Sequence, residues 1–501
     1  MVAKIKTGVL SGIGAKLVTV EVVEGKVKPG ITLVGLADTA TKEAKERVLQ
    51  ALYSSQCNVP ASLVVNLAPA ELKKEGSHFD LSIALAVLVL GEKLDPRFFE
   101  DTLVLGELSL SGEVKPHKGI VSYALLCKSL GFRKIIVPAS TCEEAQLIHG
   151  IEILPAYSLK QVIRSIHQSE WVYPSKSIDL TEKKSTLGFQ GVVGQESAKR
   201  ALTIAAAGGH HVLLIGPPGC GKSMMAERVA SLLPKLSDAE MLEVMSIHSA
   251  GNNGIQRFLF GERPFRSPHH TVSEAGLIGG GSPPQPGEVS YAHRGVLFLD
   301  EFPEFKRTAL ESLRSPLESG SVEIARVKAS EKFPARFQLI AAMNPCPCGK
   351  AGTKECGCSI TKIEQYLKRV SGPMLDRFDI QVGVQAVNDV SVESVSNEGE
   401  RIELIQRTHE HQMERQGHLN FVLPSKELQR IIEDVSEIKE MVQSVIARGF
   451  SMRGVHRLIR VARTIADLEQ KEIISVSHIK EALLYRAGER LFKSFAGRGG
   501  K

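Results

Sequence analysis

The chain has 501 residues, 43% of them hydrophobic and 24% charged, with a formal net charge of +6. That length exceeds one ordinary core and calls for two to four domains, while so slight a basic excess permits a nucleic-acid partner without arguing for one. The opening "MVAKIKTGVLSGIGAKLVTVEVV" lacks the unbroken apolar run of a secretory signal, and no stretch approaches the roughly 18 charge-free apolar residues of a membrane span, so the sequence reads as a soluble, cytoplasmic protein without a membrane partner.

Residues 1–168 mix period-two alternation ("KLVTVEVVEG", "GITLVGL", "SLVVNLAP") with helical stretches such as "DLSIALAVLVLG", which predicts an α+β domain. Residues 169–188 are polar, charged and without period, as a linker is. From 189 to 387 strands alternate with helices, the pattern of an α/β core on a parallel sheet. An acidic, serine-rich linker over 388–402 leads to an all-helical block, 403–501, whose "GVHRLIRVARTIADLEQ" repeats apolar residues three and four apart. Cys57, Cys127, Cys142 and Cys220 are scattered through these elements and are expected to be free thiols.

Within the α/β block, "HHVLLIGPPGCGKSMMAERVASLL" runs from an apolar strand through G-x-x-x-x-G-K-S into a helix. Backbone N–H groups from Gly216, Gly219, Cys220 and Gly221, in a loop shaped by Pro217 and Pro218, would wrap a phosphate at a helix N-terminus. Lys222 would meet the β/γ oxygens and Ser223 would ligate Mg²⁺. ATP is the expected ligand. Two adjacent histidines, His269 and His270, point different ways from a loop and do not easily share one ion, leaving hydrogen bonding or DNA contact. "GVLFLDEFPEF" carries a core strand to Asp300 and Glu301, where one carboxylate can hold Mg²⁺ through water and the next can orient or deprotonate the attacking water.

"ESGSVEIARVKASEKFPARFQLI" reads as a hairpin with "KASEK" at its turn; period-two counting puts Arg326 and Lys328 on one face, and Lys332 follows. "FQLIAAMN" is the next strand and ends on Asn344, beyond the strand C-terminus, where its amide can touch a γ-phosphate or the water. Directly after it, Cys346, Cys348, Cys356 and Cys358 form two C-x-C pairs. Four thiolates fit a closed structural zinc site, with an iron–sulfur cluster or unligated thiols as the alternatives; the familiar spacing is C-x-x-C. Arg377, in "VSGPMLDRFDI", has no evident partner in its own nucleotide site, so it is either a surface ion pair or a group lent to a neighbour's site.

In this order the elements resemble an AAA+ ATPase of the magnesium-chelatase-like branch, and "RPFRSPHHTVSEAGLIGGG", "PGEVSYAHRGVLFLDEFPEF" and "SGPMLDRFD" are similar to the ComM/YifB family over essentially the whole chain. The resemblance implies a homo-hexameric ring whose members are ATP-driven DNA motors, promoting branch migration between single- and double-stranded DNA during natural transformation. It further implies that Val193, Gly194 and Gln195 border the adenine, that Arg377 acts in trans and Arg453 as the lid's sensor arginine, and that the hairpin with Arg326, Lys328 and Lys332 lines a DNA pore. The first block, with "LAPAELKKEGSHFDLSIALAVL" and "LGELSLSGEVKPHKGIVSYALL", resembles the Lon-protease catalytic fold, but His78 stands at the nucleophile position and Val121 where a lysine belongs, so no peptidase chemistry is expected. A magnesium-chelatase-type ATPase that remodels a protein partner, and a nucleotide-dependent regulator, are the alternative functions.

Overall fold

The computed structural model describes residues 2–25, 29–34, 39–72, 74, 76–174, 188–251, 253–326, 329–351, 355–385 and 397–486. The chain divides into two compact units: residues 1–182 with 242–257, and 183–241 with 258–501. The stretch 242–257, which lies inside the α/β block of the sequence, therefore belongs to the first unit.

That unit is built on a seven-stranded mixed sheet in the order Gly30–Val34, Ser62–Ala68, Gly14–Glu24, Ala3–Ser11, Thr102–Val104, Lys134–Pro138, Glu152–Ala156. Alternation along Gly14–Glu24 turns Val18, Val20 and Val22 into the core. The helix Asp80–Leu90 is apolar on every side and accordingly buried along nearly its whole length. From 242–257, Ser249 donates through Oγ to Glu144 (3.1 Å) and accepts from the Gly119 N–H at its carbonyl (3.0 Å), so this segment is bonded into the first unit.

The second unit carries five parallel strands in the order Phe265–Arg266, Val296–Leu299, Gln338–Met343, Val212–Ile215, Ile380–Gly383. The three central strands are wholly buried, and a parallel sheet covered on both faces requires such continuous apolar runs. Five helices follow: Glu398–Gln416, Ser425–Glu433, Ser436–Ala447, Met452–Leu468 and Val476–Leu484. The first begins inside the stretch read as a linker, where Glu398 and Glu400 in the opening turn suit the positive end of the helix dipole. Helices and sheet share one apolar cluster, in which Ile405, Leu458 and Ile465 pack with Val212 and Ile380.

Polar bonds hold the helices to the sheet as well. His210 lies 3.3 Å from Asp379 and 2.8 Å from Thr464, and Asp467 accepts from Arg415 (2.6 Å), Arg463 (2.6 Å) and Asn420 (2.7 Å). Burial alone would raise the Asp379 carboxyl, yet its hydrogen bond and charge interaction with His210 hold it down to about 2. Among the described residues no helix is long and apolar enough to cross a membrane.

Candidate nucleotide site and cysteine cluster

The loop after Val212–Ile215 is shaped by its glycines. Gly219 (φ +75°) and Gly221 (φ +84°) occupy left-handed conformations, and a Cβ on Gly216 would fall 2.4 Å from the Val384 carbonyl. Lys222 opens the helix Lys222–Leu232, with Gly221 as its N-cap. Its ammonium is buried and folds back into the loop, donating to the carbonyls of Gly216 (2.9 Å) and Pro217 (2.8 Å) and to Asn344 Oδ1 (3.2 Å). It also lies 3.8 Å from Cys220 Sγ, and as none of these four is a carboxylate, an anion entering the loop gains a charge-assisted partner.

Ser223 is exposed and donates to Asp300 Oδ2 at 2.6 Å, so the hydroxyl and carboxylate expected to share a cation already meet. Asp300 leaves the C-terminal end of Val296–Leu299, and Asn344 leaves the adjacent strand Gln338–Met343. Glu301 is turned outward by a left-handed backbone (φ +50°). His270 Nδ1 lies 3.0 Å from Glu301 Oε2, and the His270 ring rests on His269 at 4.1 Å. Of the two readings left open for this pair, His270 has a hydrogen-bonding partner within the site. His269 contacts Thr271 at 2.9 Å.

The other sequence-predicted positions stand farther out. Gln195, itself left-handed (φ +61°) and flanked by Val193 and Gly194, uses its amide on the Gln385 backbone, both donating to its carbonyl and accepting from its N–H. Arg377 pairs with Glu318, and Arg453 is exposed in the first turn of Met452–Leu468; among the described residues neither is bonded to the Lys222 group. The hairpin forms as expected, with Ser321–Arg326 antiparallel to Ala329–Pro334. Lys332 is exposed and sits in register with Glu323, whose carboxylate accepts from Ser330 at 2.9 Å. The Arg326 side chain and Lys328 lie outside the described residues.

In the cysteine cluster all thiols are free, and the four Sγ atoms lie within 4.8 Å of one another. Cys346 stands 3.3 Å from Cys348 and 3.8 Å from Cys356, and Cys348 stands 3.7 Å from Cys356. Four thiolates at ~2.3 Å from one tetrahedral ion are spaced by about 3.8 Å. The set therefore fits one small ion, and the sulfurs are too close for a multi-iron cluster between them. The Lys350 backbone N–H holds the Cys348 thiol down to about 6, whereas burial pushes Cys346 up to about 12. Cys346 packs with Ala351 and Ile363 in a small core of its own.

In the first unit His78 is buried, with Nε2 2.8 Å from the Gly8 carbonyl and its ring stacked on His117 at 4.3 Å. Val121 is buried in the helix Ile120–Ser129. No hydroxyl–amine pair of the Lon type is formed by these two positions.

Three family models match: magnesium chelatase, subunit ChlI, over residues 188–392; subunit ChlI of Mg-chelatase over 18–141; and the ChlI C-terminal region over 399–486. The competence protein ComM of Haemophilus influenzae is 40% identical, with 97% of each chain covered, and YifB of Escherichia coli is 42% identical, with 96% of each covered. The magnesium-chelatase 38 kDa subunit of Cereibacter sphaeroides is 26% identical over 62% of this chain and 93% of its own.

Proposed function

The chain belongs to the ComM family of magnesium-chelatase-like AAA+ ATPases, and we propose that it is an ATP-hydrolysing hexameric motor that moves along DNA and drives branch migration when incoming strands recombine. The observation that carries this reading is the meeting of Lys222, Ser223, Asp300 and Asn344 at the C-terminal ends of adjacent parallel strands, where such sheets bind ligands. It is joined by near-complete coverage of a relative named for competence.

In this scheme the loop 216–221 receives the phosphates of ATP and Lys222 exchanges its carbonyl partners for the β/γ oxygens. Mg²⁺, held by Ser223 and through water by Asp300, would supply charge neutralisation on those oxygens. Glu301 orients or deprotonates the attacking water, and Asn344 fixes the γ-phosphate or that water. His270, beside Glu301, sets the resting position of its carboxylate. Arg377 exchanges Glu318 for the phosphoryl group bound by an adjoining copy, and Arg453 reports from the helical lid. Val193, Gly194 and Gln195 border the base. Arg326, Lys328 and Lys332 bring cationic groups to DNA phosphates, so DNA affinity is expected to fall steeply with salt. Cys346, Cys348, Cys356 and Cys358 hold zinc as a structural ion. The first unit has a Lon-like scaffold without peptidase chemistry.

ATPase rate with and without single-stranded DNA tests the reading. Strong stimulation of the wild type and its loss in Lys222→Ala are expected; wild-type turnover in that variant would reject the nucleotide site. The resemblance to the 38 kDa chelatase subunit favours a second reading, a remodelling ATPase. Indifference to DNA combined with stimulation by a protein partner would select it.

A further inference from the structure

The cysteine loop touches the phosphate loop. Gly349, between Cys348 and Lys350, is buried with φ +76°, and a Cβ built on it would fall 2.5 Å from Pro218 Cδ and 3.2 Å from Cγ. A side chain at 349 would collide with the Pro218 ring. The Gly349 N–H donates to the Cys346 carbonyl at 2.9 Å, which ties its position to the cluster. A second tie runs through the stem: Asn344, two residues before Cys346, accepts from Lys222 at 3.2 Å, and its backbone hydrogen-bonds the side chain of Tyr366 in the helix Ile360–Leu367 beyond the cluster.

We propose that Gly349 and the four-cysteine loop position the phosphate loop: closed on its ion, the cysteine loop seats Gly349 against Pro218 and holds residues 216–221 in the shape that receives the phosphates. The proposal rests on the readings of the nucleotide site and of the metal site. A hydrophobic core of three buried residues, Cys346, Ala351 and Ile363, is too small to order such a loop by itself. Ligation joins residues on both sides of Gly349 and removes that freedom. Pro218 is exposed on its other side, so Gly349 is its inner support. Coupling of this kind is reciprocal, so bound nucleotide should also slow loss of the ion.

The test uses the full chain, with metal content measured by mass spectrometry and the Kd of a fluorescent ATP analogue by titration. Wild type stripped with a chelator and returned to Mg²⁺ should bind the analogue about 10-fold more weakly, within the usual 5- to 150-fold range of such coupling. Gly349→Ala should keep its ion and lose nucleotide affinity to a similar extent. Measured against Pro218→Ala as its own reference, adding Gly349→Ala should cost clearly less affinity than it costs the wild type, because the obstructing ring is gone, whereas backbone strain at Gly349 alone would cost the same in both backgrounds.

Nucleotide binding that depends on Lys222, with one ion per chain, but an unchanged Kd on stripping would overturn the coupling and leave both site readings standing. An equal cost of Gly349→Ala with and without the Pro218 ring would overturn the contact. Protein that never carries an ion would overturn the metal reading and this proposal together, whereas Lys222→Ala alone reports on the nucleotide reading.

Discussion

Around the buried Lys222, polar side chains reach an open rim, with Ser223 and Glu301 exposed and the lysine bonded to three oxygens and the Cys220 sulfur rather than to a carboxylate. Around His78 they are sunk into the first unit's core and satisfy one another: His78 on Gly8, and Asp80 on Arg47 (2.7 Å) and on the Leu108 N–H (3.2 Å). Burial raises Asp80 to about 6 despite its arginine, a shift that elsewhere would flag a catalytic acid. The difference is that Asp80 is buried and its carboxylate is already taken up by Arg47 and the Leu108 N–H. A perturbed group becomes a functional candidate only when its neighbours leave room and charge for a substrate.

The largest effect that would sharpen this contrast is at Arg377. Arg377→Ala should retain nucleotide binding and lower ATP turnover on the order of 10³-fold or more, since an arginine lent in trans contributes 10³ to 10⁵. Mixing it with Lys222→Ala subunits should restore activity, because each variant supplies what the other lacks. Turnover close to wild type would return Arg377 to an ordinary ion pair with Glu318.

A second effect, in acid, should erase the contrast. Burial pushes His211 down to about 4 in the second unit and lowers His117 well below its ordinary range in the first. Each is held neutral when folded and protonates more readily when unfolded, so its contribution is complete above about pH 6.5 and is lost as pH falls toward 4. His211 alone accounts for roughly 3 kcal/mol of that loss. Denaturant melts at pH 7 and pH 4.5 check it; equal midpoints would contradict the buried neutral state.

The smallest effect on activity is expected at His78. His78→Ala should cost about 1–3 kcal/mol of stability through the lost bond to Gly8 and the lost ring contact, while ATPase rate below the melting temperature stays within about twofold, since the Gly8 and His117 contacts of His78 lie inside the first unit. A large fall in turnover would show that the first unit takes part in the reaction.

Legibility in the sequence followed the range of the interaction. The phosphate loop, the Asp300 strand, Asn344 and the cysteine pairs depend on spacing within about twenty residues, and a short stretch of chain carries the whole signal. The pairing of His270 with Glu301, and of Arg377 with Glu318, joins segments far apart in the chain, which no local pattern encodes. His270 follows the edge strand Phe265–Arg266, and that strand's position beside Val296–Leu299 was the missing signal. Gly349 resembles a routine turn glycine until Pro218 is seen against it.

Because the chain leaves the second unit after residue 241, serves the first through 257 and then returns, the first unit cannot be cut away with one pair of scissors. A fragment ending at 182 would lack the stretch that carries Ser249, and a chain starting at 183 would leave Ser249 without its bonds to Glu144 and Gly119. Along the chain the two units alternate, so a change within 242–257 falls on the first unit although the residues on either side of it belong to the second.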